Sequence, residues 1–218
     1  MSLAVYGHPF SSYTQKVLIA LYENATPFEF RSLEVSEHGA EWARRWPLVR
    51  MPLLVDGERD IAETSIIIEY LQLNHPGPVR FLPTDAHAAL QVRFLDRFFD
   101  LHVMNAAQHA VNGALTGDPV KRTEGMALAV KKLNRAYAWL ERELVGRSWA
   151  APGEDFTLAD CAAAPSLFYA DWTHPISEDF PTLRAYRTRL LARPSFARAV
   201  DEARPFRSYF PLGAPDRD

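Results

Sequence analysis

Gly7 to Leu21 reads GHPFSSYTQKVLIAL, and its run Ser11, Ser12, Tyr13, Thr14 stands between a short apolar segment and a helical pattern, with Lys16 just inside. Redox proteins that join a strand to a helix in this way often carry C-x-x-C at such a turn. Here the outer positions are Ser11 and Thr14, so dithiol chemistry is excluded. What remains is hydroxyl chemistry. Ser11, Ser12 and Tyr13 are three adjacent candidates, and residue type alone does not rank them.

A second group is AETSIII, where Glu63 and Thr64 fall at a helix start. Four unpaired N–H groups and a positive dipole end lie there. The pair can simply cap the helix. Alternatively, Thr64 and the helix N-terminus hold a ligand carboxylate while Glu63 faces a ligand ammonium, the two charges of an amino acid head. In VRMPLLVDG, Pro52 precedes a strand, and a proline inside a sheet removes a ladder donor. Either Pro52 starts the strand at an edge, or Met51-Pro52 is cis and turns the Met51 backbone toward an extended ligand.

Other constellations read as structure. Thr157 and Asp160 in FTLADCAAA have capping-box spacing, with Phe156 and Cys161 at the staple positions. Cys161, the single cysteine, is flanked by alanines and is expected to be a small buried apolar residue. It rules out an intramolecular disulfide and any cysteine-based zinc cluster. The seven histidines give no metal spacing: His102 and His109 share a helix face, but no carboxylate completes a ligand set, and no metal is expected. A hydrolase triad on Ser11 lacks the G-x-S-x-G elbow.

The elements that must position these residues divide the chain in two. LAVYG (3–7) reads as a strand, Tyr13 to Tyr22 as a helix, and Phe28 to Leu33 as a second strand, a βαβ unit with parallel strands. An irregular loop region follows. Leu53 to Val55, a turn at Asp56-Gly57 and a strand ending near Ile61 form a hairpin, and a helix follows with Ile66, Ile67, Tyr70 and Leu71 as its apolar face. His75 to Pro83 holds three prolines and reads as a linker. Beyond it only helical patterns appear: 86–115 as one long helix, then 120–144, 157–169, 181–192 and 195–203. The fold class is therefore α+β in two domains, a βαβ-ββα unit followed by an all-α domain. We place the first domain at 1–76, the linker at 77–86 and the helical domain at 87–218.

The 218 residues carry 24 basic against 27 acidic side chains, so neither nucleic acid nor an anionic membrane is an expected partner. No apolar run approaches a membrane span of ~20 residues. The opening MSLAVYG lacks the marks of a signal peptide, so a cytoplasmic location is expected.

Together, S-S-Y-T-Q-K-V-L-I-A-L, P-L-V-R-M-P-L-L-V-D-G, E-T-S-I-I-I-E-Y-L and F-T-L-A-D-C-A resemble the glutathione transferase family, in order and over essentially the whole chain. The nearest pattern is the serine-type (zeta- or theta-like) branch of its bacterial members. The resemblance implies a thioredoxin-like first domain, a cis proline at Pro52, and glutathione as co-substrate. In the family the backbone before that proline, here Met51, pairs with the cysteinyl part of glutathione. Glu63 and Thr64 would hold the γ-glutamyl head, and Arg50 the glycyl carboxylate with help from His38. The hydroxyl at the position of Ser11 donates to the sulfur, which favours the thiolate and lowers its pKa. Ser12 and Tyr13 are its neighbours in that role, and Tyr6 corresponds to the tyrosine of other branches.

The electrophile pocket would lie between the domains. Phe98, His102, Asn105 and His109 share a face by their 4-3-4 spacing, either lining this pocket or packing as core. Phe206, Tyr209 and Phe210 of the tail would cover the pocket or pack on the first domain. The family also implies a homodimer. The implied activity is attack of glutathione on a hydrophobic electrophile, a detoxification role. Glutathione-dependent isomerisation of the zeta type and a non-catalytic interaction module are the alternatives.

Overall fold

The computed structural model describes residues 3–218. β1 (Leu3–Gly7) is buried on both faces and anchors a four-stranded sheet in the order β2-β1-β3-β4. β2 (Phe28–Ser32) runs parallel to it, and α1 (Ser12–Glu23) makes the crossover. β3 (Leu53–Asp56) is antiparallel to β1, and β4 (Arg59–Ile61) closes the hairpin. Because strand side chains alternate, Leu3 and Val5 meet α1 and α3 (Thr64–Asn74), while Ala4 and Tyr6 meet Trp42 and Trp46 on the other face.

The region read as a loop contains a helix, α2 (Ser36–Arg45). None of its residues is fully buried, so it shows too few apolar positions to declare a helical period. On α3 the inward residues are Ile67, Ile68 and Leu71, whereas Ile66 is 55% exposed and Tyr70 half-buried. Three successive isoleucines leave the helical phase open, and contact with the sheet selects the later two.

Residues 75–85 carry no helix or strand, and they are tied down by two side-chain amides. Asn24, the C-cap of α1, exchanges two hydrogen bonds with the Val79 backbone, at 2.8 and 3.1 Å. Gln72 does the same with Leu82, at 2.8 and 3.2 Å. A side chain at Gly77 would run into Asn24 at 2.5 Å, so the close approach requires glycine there.

The remainder is helical: α4 (Ala86–Phe98), a π-helical turn (Phe99–Met104), α5 (Asn105–Leu115), α6 (Pro119–Glu143), α7 (Leu158–Thr173), α8 (Pro181–Leu191) and α9 (Pro194–Ala203), with a 3-10 turn at Arg204–Tyr209. The expected single helix over 86–115 is thus interrupted. A π turn takes one extra residue, so everything after it is rotated by about 100° relative to an unbroken helix. α7 is buried along its full length and is the axis around which the others pack.

The two parts share one large core. Ile19, Ala20 and Ile68 of the first domain pack with residues of α4, α7 and α9. Polar contacts lock the same seam: Arg193 pairs bidentately with Glu23 at 2.6 Å for both bonds. No helix among the described residues is long and apolar enough to cross a membrane.

Candidate active site

The turn that leads into α1 is fixed from several sides. Gly7 lies so close to Thr14 that a Cβ would approach its side chain to 2.7 Å. Gln15 donates to the Pro9 carbonyl (3.0 Å) and to the Tyr169 hydroxyl (3.1 Å), and Tyr169 donates to the Phe10 carbonyl (2.9 Å). The loop from His8 to Ser11 is therefore clamped to α7 of the helical domain.

Ser11 is the N-cap of α1, and its Oγ accepts weakly from the Thr14 N–H at 3.4 Å. Its own O–H has no acceptor among the described residues. The other two hydroxyls differ. Tyr13 donates to Asn105 Oδ1 at 3.2 Å, and burial, with the Asp100 charge second, pushes its pKa up to about 12. It is therefore a protonated, already committed donor at neutral pH. Ser12 sits one step further along.

Two cavities meet at this point. The larger, of about 640 Å³, is lined by Ser11, Tyr13, Arg50, Met51, Pro52, Glu63 and Thr64, together with Arg97, Asp100 and Asn105. Its polar groups converge: the Met51-Pro52 bond is cis, Glu63 and Thr64 start α3, and Arg50 lies on the rim. Glu63 has φ +67°, a left-handed conformation that costs a non-glycine residue about 1–3 kcal/mol and directs the chain into the helix abruptly. The smaller cavity, of about 250 Å³, is apolar in character, with Phe10, Met104, Val111, Tyr169, Tyr209 and Phe210 in its wall. Ser11, Tyr13 and Gln108 line both, and Ser12 only the smaller.

Several sequence-predicted residues lie elsewhere. His38 faces away, with Nδ1 3.1 Å from the Ser32 carbonyl and its ring edge-on to Tyr6. Tyr6 is fully buried on the α2 side of the sheet, where Arg31 donates to its hydroxyl. Neither lines either of the two cavities. Of Phe98, His102, Asn105 and His109, only Asn105 does. Phe98 stacks on Trp139 of α6 at 4.2 Å, His102 sits beside Phe98 at 5.1 Å, and His109 Nε2 is 2.8 Å from Lys132 Nζ. Burial and the Lys132 charge hold the His109 pKa down. The π turn is the cause, since it carries Asn105 onto the face of Arg97 and Leu101 instead of that of Phe98 and His102.

The tail does both things expected of it. Phe206 packs on His8 at 4.6 Å, while Tyr209 and Phe210 wall the smaller cavity. Lys16 turns inward, 1% exposed, with Nζ 2.9 Å from Asp100 Oδ2 and 2.5 Å from Asp96 Oδ1. Arg97, Asp100, Gln108 and Tyr169 carry no sequence signal of their own, because their roles depend on the π turn or on contacts across the domain seam. Cys161 is buried within α7, and burial pushes its thiol pKa well up, so it takes no part. Among the described residues no group of three or more His, Cys, Asp and Glu side chains could hold a metal ion.

A thioredoxin-like domain followed by a helical domain, with a polar cleft at the cis proline, is the class these features define. Residues 5–79 match the glutathione S-transferase N-terminal domain and residues 107–189 the C-terminal domain. The chain is 30% identical to a probable maleylacetoacetate isomerase of Vibrio cholerae, covering 94% of this chain and 98% of that one. It is 29% identical to glutathione S-transferase Z2 of Arabidopsis thaliana, over 93% and 92% of the two chains. A solved glutathione S-transferase from Methylobacterium radiotolerans, in complex with glutathione sulfonate, superposes with a TM-score of 0.77 at 30% identity, covering 92% and 95%. The chain belongs to the glutathione S-transferase family.

Proposed function

We propose that this glutathione transferase activates the glutathione thiol through Ser11 for attack on a small uncharged electrophile. The observation that carries the reading is that Ser11 alone combines an uncommitted O–H, a helix N-terminus and a place in the wall of both cavities. Glutathione occupies the larger cavity in this reading. Its γ-glutamyl ammonium meets Glu63, its α-carboxylate meets Thr64 and the start of α3, and its cysteinyl backbone meets Met51. Arg50 takes the glycyl carboxylate. The sulfur then lies at Ser11, facing the apolar cavity.

A donor aimed at the sulfur stabilises the charged form, so the thiol, near 8.5 when free, loses its proton to solvent closer to neutral pH. The thiolate attacks an electrophilic carbon and the leaving group departs with the bonding pair. Replacing Ser11 by alanine should raise the pKa of bound glutathione, followed by thiolate absorbance against pH. An unshifted titration in that variant removes Ser11 from the role.

A second reading, glutathione-dependent isomerisation, draws on the name of the Vibrio cholerae relative. Maleylacetoacetate carries carboxylates, and an anionic substrate calls for a cation in its pocket. No Lys, Arg or His lines the smaller cavity among the described residues, which favours a neutral electrophile. Assaying a chlorinated aromatic and a cis-unsaturated dicarboxylate side by side separates the two.

The protein works as a cytoplasmic homodimer in this reading. Ile66, Leu73, Leu90, Phe94 and Leu101 are large apolar side chains left exposed on α3, α4 and the π turn, and a partner subunit would cover them. Sedimentation showing only 24.7 kDa particles at micromolar concentration contradicts the dimer.

A further inference from the structure

A third cavity, of about 290 Å³, lies at the C-terminal end of α7 and shares no lining residue with the two cavities at Ser11. Its wall includes Asp171, Ile176, Arg184, Arg187, Thr188 and Arg217. Three guanidinium groups share this space with one carboxylate. Asp171 is already engaged: Oδ1 accepts from the Ile176 N–H at 2.8 Å, and Oδ2 takes Arg217 and lies 3.2 Å from Arg187 Nη2. The nearby Asp218 is paired with Arg204 and Arg207 instead. Among the side chains that line it, the cavity has two positive charges in excess.

Arg187 makes this imbalance costly. Its side chain is only 12% exposed; Nε is buried without a hydrogen-bond acceptor among the described residues, and Nη2 has the Asp171 contact only as an ion pair, without hydrogen-bond geometry. Burial, with Arg217 adding to it, holds its pKa below the usual arginine value despite the charges of Asp171 and, more weakly, Asp218. An under-compensated buried cation carries a large desolvation penalty, which an anion entering the cavity would offset. Arg184 gives only a long bond to the Ile176 carbonyl, at 3.4 Å, so most of its donors are available.

From this we propose that the cavity between α7, α8 and the C-terminal tail binds a phosphate-type dianion, either the free ion or the phosphate of a small ester. Guanidinium forks match phosphate oxygens two at a time. A phosphate near neutral pH carries about −1.5 to −2, which balances the excess, whereas a monocarboxylate would leave one charge over. At about 30 Å³ per water, the space accommodates a phosphate with several waters or a small attached group.

The test uses the full chain saturated with S-methylglutathione, so that Arg50 and Arg97 of the glutathione cavity are covered. Inorganic phosphate and glycerol phosphate are titrated by calorimetry at constant ionic strength. The expected result is saturable binding of one anion per chain. Arg184→Gln and Arg217→Gln should each weaken it about tenfold or more, while Arg50→Gln leaves it unchanged. Arg187→Gln should weaken it at least as much. Because Arg187 is largely buried and its loss can unsettle the fold, the two more exposed arginines decide the matter. Tighter phosphate than glycerol phosphate identifies the free ion, and the reverse order identifies an ester. No saturation at about millimolar anion, unchanged affinity in Arg184→Gln and Arg217→Gln, or loss in Arg50→Gln overturns the proposal.

Discussion

Helix α1 is capped by Ser11 and helix α7 by Thr157, both hydroxyl caps, yet only the first keeps a donor free. At α7 everything is consumed inside the protein. Asp160 reaches back to the Thr157 N–H at 2.9 Å and its hydroxyl at 3.1 Å, and accepts from the Ala150 N–H at 2.8 Å and the Tyr186 hydroxyl at 2.7 Å. Burial pushes the Asp160 pKa up, and those donors act against it. At α1 the cap makes one weak bond and opens on two cavities. Hydroxyl caps of similar chemistry thus serve stability in one place and leave a ligand-facing donor in the other. What separates them is burial.

The comparison is broken most severely at α7. Asp160→Ala removes the acceptor of four buried donors on three residues, and each donor left unpaired costs about 1–3 kcal/mol. A loss of about 3 kcal/mol or more, and of about 6 °C or more in Tm, is expected by calorimetry. Activity per folded molecule should be unchanged. A reduced rate without loss of stability would mean that the α7 start also serves the site.

Next in size is the glutathione head group. Glu63→Gln removes a charged partner worth about 1.5–3 kcal/mol, so glutathione affinity should fall roughly tenfold to over a hundredfold in a titration. The melting curve of the free protein should hardly move. Unchanged affinity would take Glu63 out of the site.

Ser11→Ala is the mirror of Asp160→Ala. It should lower turnover of a chlorinated aromatic about tenfold or more while costing about 1 kcal/mol or less in stability, since the cap bond is long. Glutathione affinity should change little, because the hydroxyl acts on the charged sulfur. A large destabilisation without a rate effect would make the two helix starts alike.

The smallest effect is expected at Tyr13. With its pKa raised to about 12 by burial, the phenol is neutral on both sides of the thiol titration, and it contributes no ionisation to the pH–rate profile below about pH 10. Tyr13→Phe should leave the shape of that profile as it is. A shifted acidic limb would hand the sulfur to Tyr13.

Much of this was legible from local pattern. The βαβ crossover, the hairpin at Asp56-Gly57 and the capping box rest on neighbours within a few residues, so the sequence states them directly. Glu63, Thr64 and Pro52 could be singled out because a helix start and a strand-breaking proline are local events. α2 stayed hidden because it buries no residue completely, and the inward face of α3 because three isoleucines fit more than one phase. His38 and Tyr6 were matched by position along the chain, but strand alternation and the docking of α2 turn them away from the cleft.

The electrophile wall marks the boundary between the two kinds of information. Sequence spacing fixes which residues share a face only while the helix keeps one period, and one π turn between Phe99 and Met104 removes that condition. Composition and short motifs determined the two-part architecture, the family and the residues that start α1, α3 and α7. Whether a hydroxyl, a histidine or an arginine faces a cavity, a neighbouring helix or the core was decided by long-range packing, because burial and partner geometry come from residues distant in the chain.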